Sequence, residues 1–256
     1  MPAEEDLESR YRSLKDRDLR GEGVFICEGR NLVLRLLESD WEAESVLCAP
    51  RFAGQIREAA AGRCPVIEKE EGELSGITGF PFHRGVLACG VRRPIPPVSD
   101  LSHHVPDART VVVLPDLANQ ENIGGIIRSA HAFGVDAVVL GGSCGDPFGR
   151  KALKTSMGST LRVPLYSLTG PGALKALEVA GFTIAGMVTA QAAVLLQEFR
   201  KPAKTAVLIG GEAAGLSEEW QEACDILVTI PMNAGIDSLN AAVAAGIVLY
   251  TIRDRV

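Results

Sequence analysis

The chain has 256 residues, 46% hydrophobic and 23% charged, a mixture that excludes a disordered polymer and suits one large domain or two small ones. Its formal charge of −6 excludes a globally basic nucleic-acid binder, and neither part reverses this: residues 1–98 carry 14 basic and 17 acidic side chains, and residues 99–256 carry 12 and 15. No apolar run approaches the roughly 18 residues of a membrane span, and the charge-dense first 20 residues lack the apolar stretch of a secretory signal, so the expectation is a cytoplasmic protein with no membrane partner.

In chain order, the pattern predicts a charged helix over residues 7–19. Short β-like runs at 24–27, 45–48, 65–67 and 85–91 then alternate with helices at 30–37, 53–60 and 71–75. Residues 1–92 therefore read as a small α/β domain. Residues 93–108 hold four prolines and two histidines among few core formers. Proline fixes φ and removes a donor, so this stretch reads as a semi-rigid linker. Residues 109–256 alternate more strongly, with strands at 111–114, 137–140, 183–185, 206–209 and 226–230. Helical spacing covers 122–133, and an apolar, alanine-rich helix covers 238–252. Such alternation predicts an α/β fold with a mainly parallel sheet.

The six cysteines form no C-x-x-C pair and sit among apolar residues, so they read as reduced, buried thiols with no disulfide framework and no metal. His131 reads as a partly buried structural residue, and His103 and His104 as solvated. The dinucleotide G-x-G-x-x-G, the phosphate-binding P-loop and the G-x-S-x-G elbow are all missing.

Three segments of the second domain place glycines and polar side chains at strand ends. In the first, residues 116–128, Asn122 is a candidate N-cap, Gly124 and Gly125 allow close backbone approach, and Arg128 follows two turns on. A capped helix with a surface arginine is the plain alternative. In the second, residues 208–217, a strand runs into Gly210-Gly211-Glu212, and the acid sits where open α/β sheets bind ligands. An ordinary βα turn explains that segment alone. In the third, residues 230–240, a strand exits through Ile230-Pro231-Met232, and Ser238 and Asn240 head an otherwise apolar helix. Helix capping by Asp237 or Ser238 is the plain alternative, and it accounts for one of the polar groups Asp237, Ser238 and Asn240, not for three.

Taken together and in this order, the segments resemble the SpoU branch of the SPOUT RNA methyltransferases. The motifs carrying the resemblance are N-x-G-x-x-x-R at 122–128, G-x-E-x-x-G-L at 210–216, and I-P-M followed by S-L-N across 230–240, with residues 146–164 also similar. It covers residues 108–256 well. Residues 1–98 are more loosely similar to the L30e-like RNA-binding domain that often precedes it. Ser129 and the Ala241-Ala242 pair depart slightly from the family pattern.

The resemblance implies a deep trefoil knot, an exception to the rule that chains avoid threading. It implies methyl transfer from S-adenosylmethionine to a ribose 2′-hydroxyl, in ribosomal RNA more than in transfer RNA, by a homodimer. The knot loops would be built from 187–191, 210–216 and 230–239. Thr189, Gly210, Ile230, Met232 and Leu239 would hold the cofactor. Asn122, Arg128, Glu212, Ser238 and Asn240 would be catalytic, some acting across the dimer. A non-catalytic RNA-binding protein that keeps the fold is the alternative. RNA contact must be local, since the net charge is negative. The candidates are Arg10, Arg12, Arg17 and Arg30 in the first domain and Arg150, Lys151 and Lys154 further on, with a solvated helix face as the competing explanation.

Overall fold

The computed structural model describes residues 4–12, 14–79, 82–190, 192–212, 215–233 and 235–253. They form two compact units, one of residues 1–94 with 148–162 and the other of residues 95–147 with 163–256.

The first unit opens with α1 (Glu4–Ser9) and α2 (Asp16–Gly21), not with the single helix expected over 7–19, of which Ser13 lies outside the described residues. The break has a cause in Tyr11. Its ring is completely buried, and its hydroxyl meets Ser45 Oγ at 2.8 Å, which draws the chain inward between the two short helices. Then follow β1 (Val24–Glu28), α3 (Arg30–Leu37), β2 (Ala43–Cys48), α4 (Pro50–Ala60), β3 (Val66–Glu68), α5 (Glu71–Thr78) and β4 (Val86–Val91). The sheet order is β1-β4-β2-β3, antiparallel except for the β2–β3 pair. Tyr11, Leu19, Val24, Ile26, Leu47, Leu74 and Leu87 share one core cluster. Phe25, of the opposite parity on β1, is also buried, so the strand is covered on both faces.

The expected boundaries put residues 148–162 in the second domain, yet this stretch packs in the first unit. Phe148 explains it. Its ring lies 5.4 Å from Phe25 and 5.0 Å from Trp41, and the Trp41 indole N–H donates to the Leu161 carbonyl at 3.1 Å. A short helix, α6 here (Arg150–Ser156), runs between those anchors.

The expected linker is also folded. Val98 and Leu101 are buried in the core of the second unit, and the Pro96 carbonyl accepts the Ser167 N–H at 2.8 Å. Prolines removed donors from this stretch without removing its apolar anchors. The 101–104 turn carries His103 and His104, both exposed.

The second unit contains β5 (Thr110–Leu114), α7 (Gln120–Ala132), β6 (Ala137–Gly141), β7 (Leu165–Leu168), α8 (Lys175–Val179), β8 (Thr183–Met187), β9 (Val194–Leu195), β10 (Thr205–Ile209), α9 (Glu218–Glu222), β11 (Ile226–Thr229) and α10 (Ala241–Ile252). Every strand pair in its sheet is parallel, in the order β7-β6-β5-β10-β8-β11-β9. The β-branched run Val111-Val112-Val113 is fully buried, as a central parallel strand requires. The strands at 165–168 and 194–195 are additions to those expected.

The cysteines are free, four of them buried and two half-buried. Among the described residues no helix is long and apolar enough to cross a membrane, and no group of three His, Cys, Asp or Glu side chains could hold a metal ion.

Candidate active site

Strands β5 and β10 are parallel neighbours, with Thr205 opposite Thr110 and Leu208 opposite Val113, so the segments that follow them leave the sheet at one edge. After β5, Asn119 caps α7. Its side-chain oxygen accepts the N–H groups of Glu121 and Asn122 at 2.8 and 3.2 Å. The expected cap was Asn122; the structure moves that role three residues earlier and leaves the Asn122 amide free for other partners.

Those partners come from the other two segments. Asn122 Nδ2 donates to Glu212 Oε1 at 2.7 Å, and Asn122 Oδ1 accepts from Asn240 Nδ2 at 2.9 Å. Asn240 Oδ1 in turn accepts the N–H groups of Ala242 and Val243 and so caps α10. A carboxylate can only accept, so Glu212 fixes the orientation of the Asn122 amide, which then fixes that of Asn240. Asn122 is 7% exposed, and both ends of its amide are spent inside the chain of bonds. Glu212 and Asn240 are exposed and present the remaining polar atoms outward.

Arg128 and Ser238 do not join this cluster. Arg128 lies six residues beyond Asn122 on α7, about 9 Å further along the axis. Both side chains are exposed, and neither has a hydrogen bond or ion pair among the described residues. His131 is exposed as well, not half-buried as its place on the helix suggested.

The expected cofactor residues lie on three loops that start level with one another. Met187 of β8 is opposite Ile209 of β10 on one side and Val228 of β11 on the other. Thr189, Gly210 and Ile230 therefore follow neighbouring strand ends on the same edge. Thr189 is exposed, while Ile230, Met232 and Leu239 are half-buried. At Gly210 a Cβ would lie 2.2 Å from the Gly215 carbonyl carbon and 2.4 Å from the Leu216 nitrogen, so no side chain fits. The loop folds back there: the Gly215 N–H donates to the Gly211 carbonyl at 3.1 Å, with Gly215 at φ +65°. Gln191, Ala213, Ala214 and Ala234 of the three expected loops lie outside the described residues. Main-chain groups at level strand ends, beside half-uncovered apolar side chains, fit an adenosyl group read by the backbone.

Helices α7 and α10 pack closely and in parallel. Gly125 meets Ala242, Ser129 meets Gly246, and the rings of Phe133 and Tyr250 lie 5.9 Å apart, a step of four residues on each helix in the same direction. A Cβ on Gly125 would come within 3.0 Å of the Ala242 Cβ. Val243 and Ile247 of α10 are 52% and 39% exposed, while the Tyr250 ring meets Phe133 and carries the Arg253 guanidinium 3.6 Å from its centroid.

In the first unit most of the candidate RNA-binding arginines are engaged. Arg10 pairs with Glu44 through two bonds at 3.0 and 3.1 Å and with Glu22 at 2.5 Å. Glu44 accounts for most of the rise in the Arg10 pKa. Arg150 donates to Glu28 at 2.8 Å, and its own N–H donates to Asp16 Oδ1 at 3.2 Å. Arg12 lies 4.0 Å from Glu8, Arg17 3.5 Å from Asp18, and Arg30 donates to Gln55 at 2.7 Å. Lys151 and Lys154 are exposed on α6 and have no ion pair among the described residues.

Sequence reasoning missed Asp116, whose Oδ1 accepts the Gly211 N–H at 3.1 Å. The signal was an acid directly after a buried strand, two residues from its end. Nearby, burial pushes the Cys144 thiol up from its ordinary pKa, and the negative charges of Asp116 and Glu212 add to the effect. This thiol is a poor nucleophile.

The model of the SpoU rRNA methylase family matches residues 109–250. A protein of Mycobacterium tuberculosis named as an uncharacterized tRNA/rRNA methyltransferase is 34% identical over 250 residues, covering 94% of this chain and 86% of its own length. A 23S rRNA guanosine 2′-O-methyltransferase of Bacillus subtilis is 32% identical over 235 residues, covering 90% of this chain and 88% of its own. Among solved structures, an rRNA methyltransferase from Sinorhizobium meliloti with bound AdoMet superimposes with a TM-score of 0.83 at 26% identity, over 98% of this chain and 95% of that one.

Proposed function

The chain belongs to the SpoU rRNA methylase family, and from that premise we propose that it methylates a ribose 2′-hydroxyl of ribosomal RNA with S-adenosylmethionine as methyl donor. The observation that carries the reading is the bond chain Glu212–Asn122–Asn240, which joins side chains from three distant motifs at one sheet edge.

When bound, S-adenosylmethionine supplies an electrophilic methyl group on its sulfonium. Thr189, Gly210, Ile230, Met232 and Leu239 would hold it at the three level strand ends. The chain's own work is alignment: a reacting oxygen held in line gains about 7–11 kcal/mol in favourable cases. Asn122 and Asn240 lock the Glu212 carboxylate in place, and the outward atoms of Glu212, Ser238 and Asn240 orient the ribose. A guanidinium keeps its proton in proteins, so Arg128 is no general base. It clamps an RNA phosphate and stabilises the alkoxide that develops as the hydroxyl proton passes to solvent water.

Because Arg128 stands apart from the bond chain within one subunit, the site is completed in a homodimer, with Arg128 supplied by the partner subunit. The exposed apolar side chains of Val243 and Ile247 on α10 support that assembly. The reading includes an L30e-like RNA-binding role for residues 1–92, a trefoil knot in residues 109–256, no metal in the reaction and a cytoplasmic location. The curated name of the Bacillus subtilis relative favours ribosomal over transfer RNA.

The test is transfer of labelled methyl from S-adenosylmethionine to unmodified ribosomal and transfer RNA supplied together. Label in ribosomal RNA is expected; label confined to transfer RNA would refute the substrate assignment.

A further inference from the structure

Asp116 stands where the chain leaves β5, and the reaction above gives it no part. Its carboxylate accepts the Gly211 N–H at 3.1 Å. The approach is close on the main-chain side too. A Cβ on Gly211 would lie 3.1 Å from the Asp116 carbonyl oxygen and 3.3 Å from Oδ1. Gly211 sits between Gly210, at the mouth of the cofactor loop, and Glu212, which holds Asn122. The segment after β5 therefore grips the segment after β10 twice, through Asp116 and Gly211 and through Asn122 and Glu212. One bond would let residues 210–212 swivel about Glu212; two fix their orientation. Of the two ties, Asp116 is the one beside Gly210. Both ties end on a carboxylate, but only that of Asp116 holds the main chain itself.

We propose that Asp116 is a positioning residue for S-adenosylmethionine: by holding the Gly211 amide it keeps residues 210–212 in the conformation that receives the adenosyl group. This rests on the methyltransferase reading. Asp116 acts on the cofactor's seat, not on the reacting atoms, so its loss belongs in cofactor affinity and not in turnover.

The experiment compares full-length wild type, Asp116→Ala and Asp116→Asn by calorimetric titration with S-adenosylmethionine, steady-state methylation of ribosomal RNA and thermal melting. Asp116→Ala is expected to raise Kd and KM for the cofactor about five- to tenfold, the worth of one such hydrogen bond, with kcat at saturation within about twofold. Asp116→Asn keeps an acceptor oxygen and is expected to restore most of the affinity. Gly211→Ala, which keeps the N–H but presses on the Asp116 carbonyl, is expected to weaken cofactor binding as well, and it decides the matter if Asp116→Ala does not fold. Unchanged Kd in Asp116→Ala, equal losses in the Ala and Asn variants, or a fall in kcat with KM unchanged would each overturn the proposal. A wild type that neither binds S-adenosylmethionine nor methylates RNA would overturn the methyltransferase reading and this inference with it. A wild type that does both, beside variants that match it, would overturn this inference alone.

Discussion

Two polar clusters of this protein are built from the same kinds of residue and do opposite things. In the first unit, Arg10 and Arg150 close on Glu44, Glu22 and Glu28, so their charge is spent on holding helices to a sheet. In the second, Glu212 holds a buried asparagine that holds another, and the outward atoms of the chain are left over. Arg128, apart from this chain of bonds, has no ion pair among the described residues. A charged residue next to complementary charge is a brace; one that the fold leaves exposed and unpaired is available for a ligand.

The sharpest way to break this contrast is Arg128→Ala. The account expects a loss of about 10²–10³ in kcat, typical of removing a donor to developing negative charge, with cofactor binding and melting temperature unchanged because the side chain is exposed. A melting temperature that falls with activity would make Arg128 a brace like Arg150. Next comes Asn122→Ala, which removes the buried link of the bond chain. It is expected to cost about 1–3 kcal/mol of stability, measured by denaturant unfolding, and to lower turnover with it. Loss of stability alone would reduce the cluster to architecture.

Arg150→Ala should cost about 0.5–1.5 kcal/mol, since it removes one partner of a mostly buried Glu28 that Arg84 still holds, while leaving the salt dependence of RNA binding nearly unaltered. Lys151→Ala and Lys154→Ala should do the reverse. Stability should hold, and each should lower the slope of log affinity against log salt by about one if it meets a phosphate. A steeper effect from Arg150 than from the lysines would break the comparison.

The smallest effect concerns the thiols. Burial pushes Cys48 and Cys224 up to about 11 from an ordinary value near 9. A raised folded pKa favours the protonated form, so the stability these thiols contribute is complete below about pH 9 and falls as pH rises toward 11. Denaturant unfolding at pH 8 and pH 10 should show the decline. Equal stability at both would place the thiols in a more solvated setting.

The sequence made the strands of the parallel sheet readable because runs such as Val111-Val112-Val113 have no other stable home than a covered strand. Helix α3 at Arg30–Leu37 was placed to the residue by its apolar spacing. The catalytic candidates were readable as motifs in order, but not as a geometry. Nothing in N-Q-E-N says whether Asn119 or Asn122 will cap, since both suit an N-terminus; the choice is made by Glu212, 90 residues away. The linker misled because prolines describe the backbone, while burial of Val98 and Leu101 depends on an edge strand at 165–168 that short periodicity does not reveal. The assignment of residues 148–162 turned on Phe148, whose partners Phe25 and Trp41 lie more than a hundred residues earlier.

The most direct test of the central claim is where the methyl group lands. Ribosomal RNA labelled by the wild-type protein from S-adenosylmethionine would be hydrolysed in alkali, which cleaves every linkage except one beside a methylated 2′-oxygen. The account predicts that the label is recovered in an alkali-resistant dinucleotide. Label recovered in a single nucleotide, as a methyl group on a base would give, would contradict it.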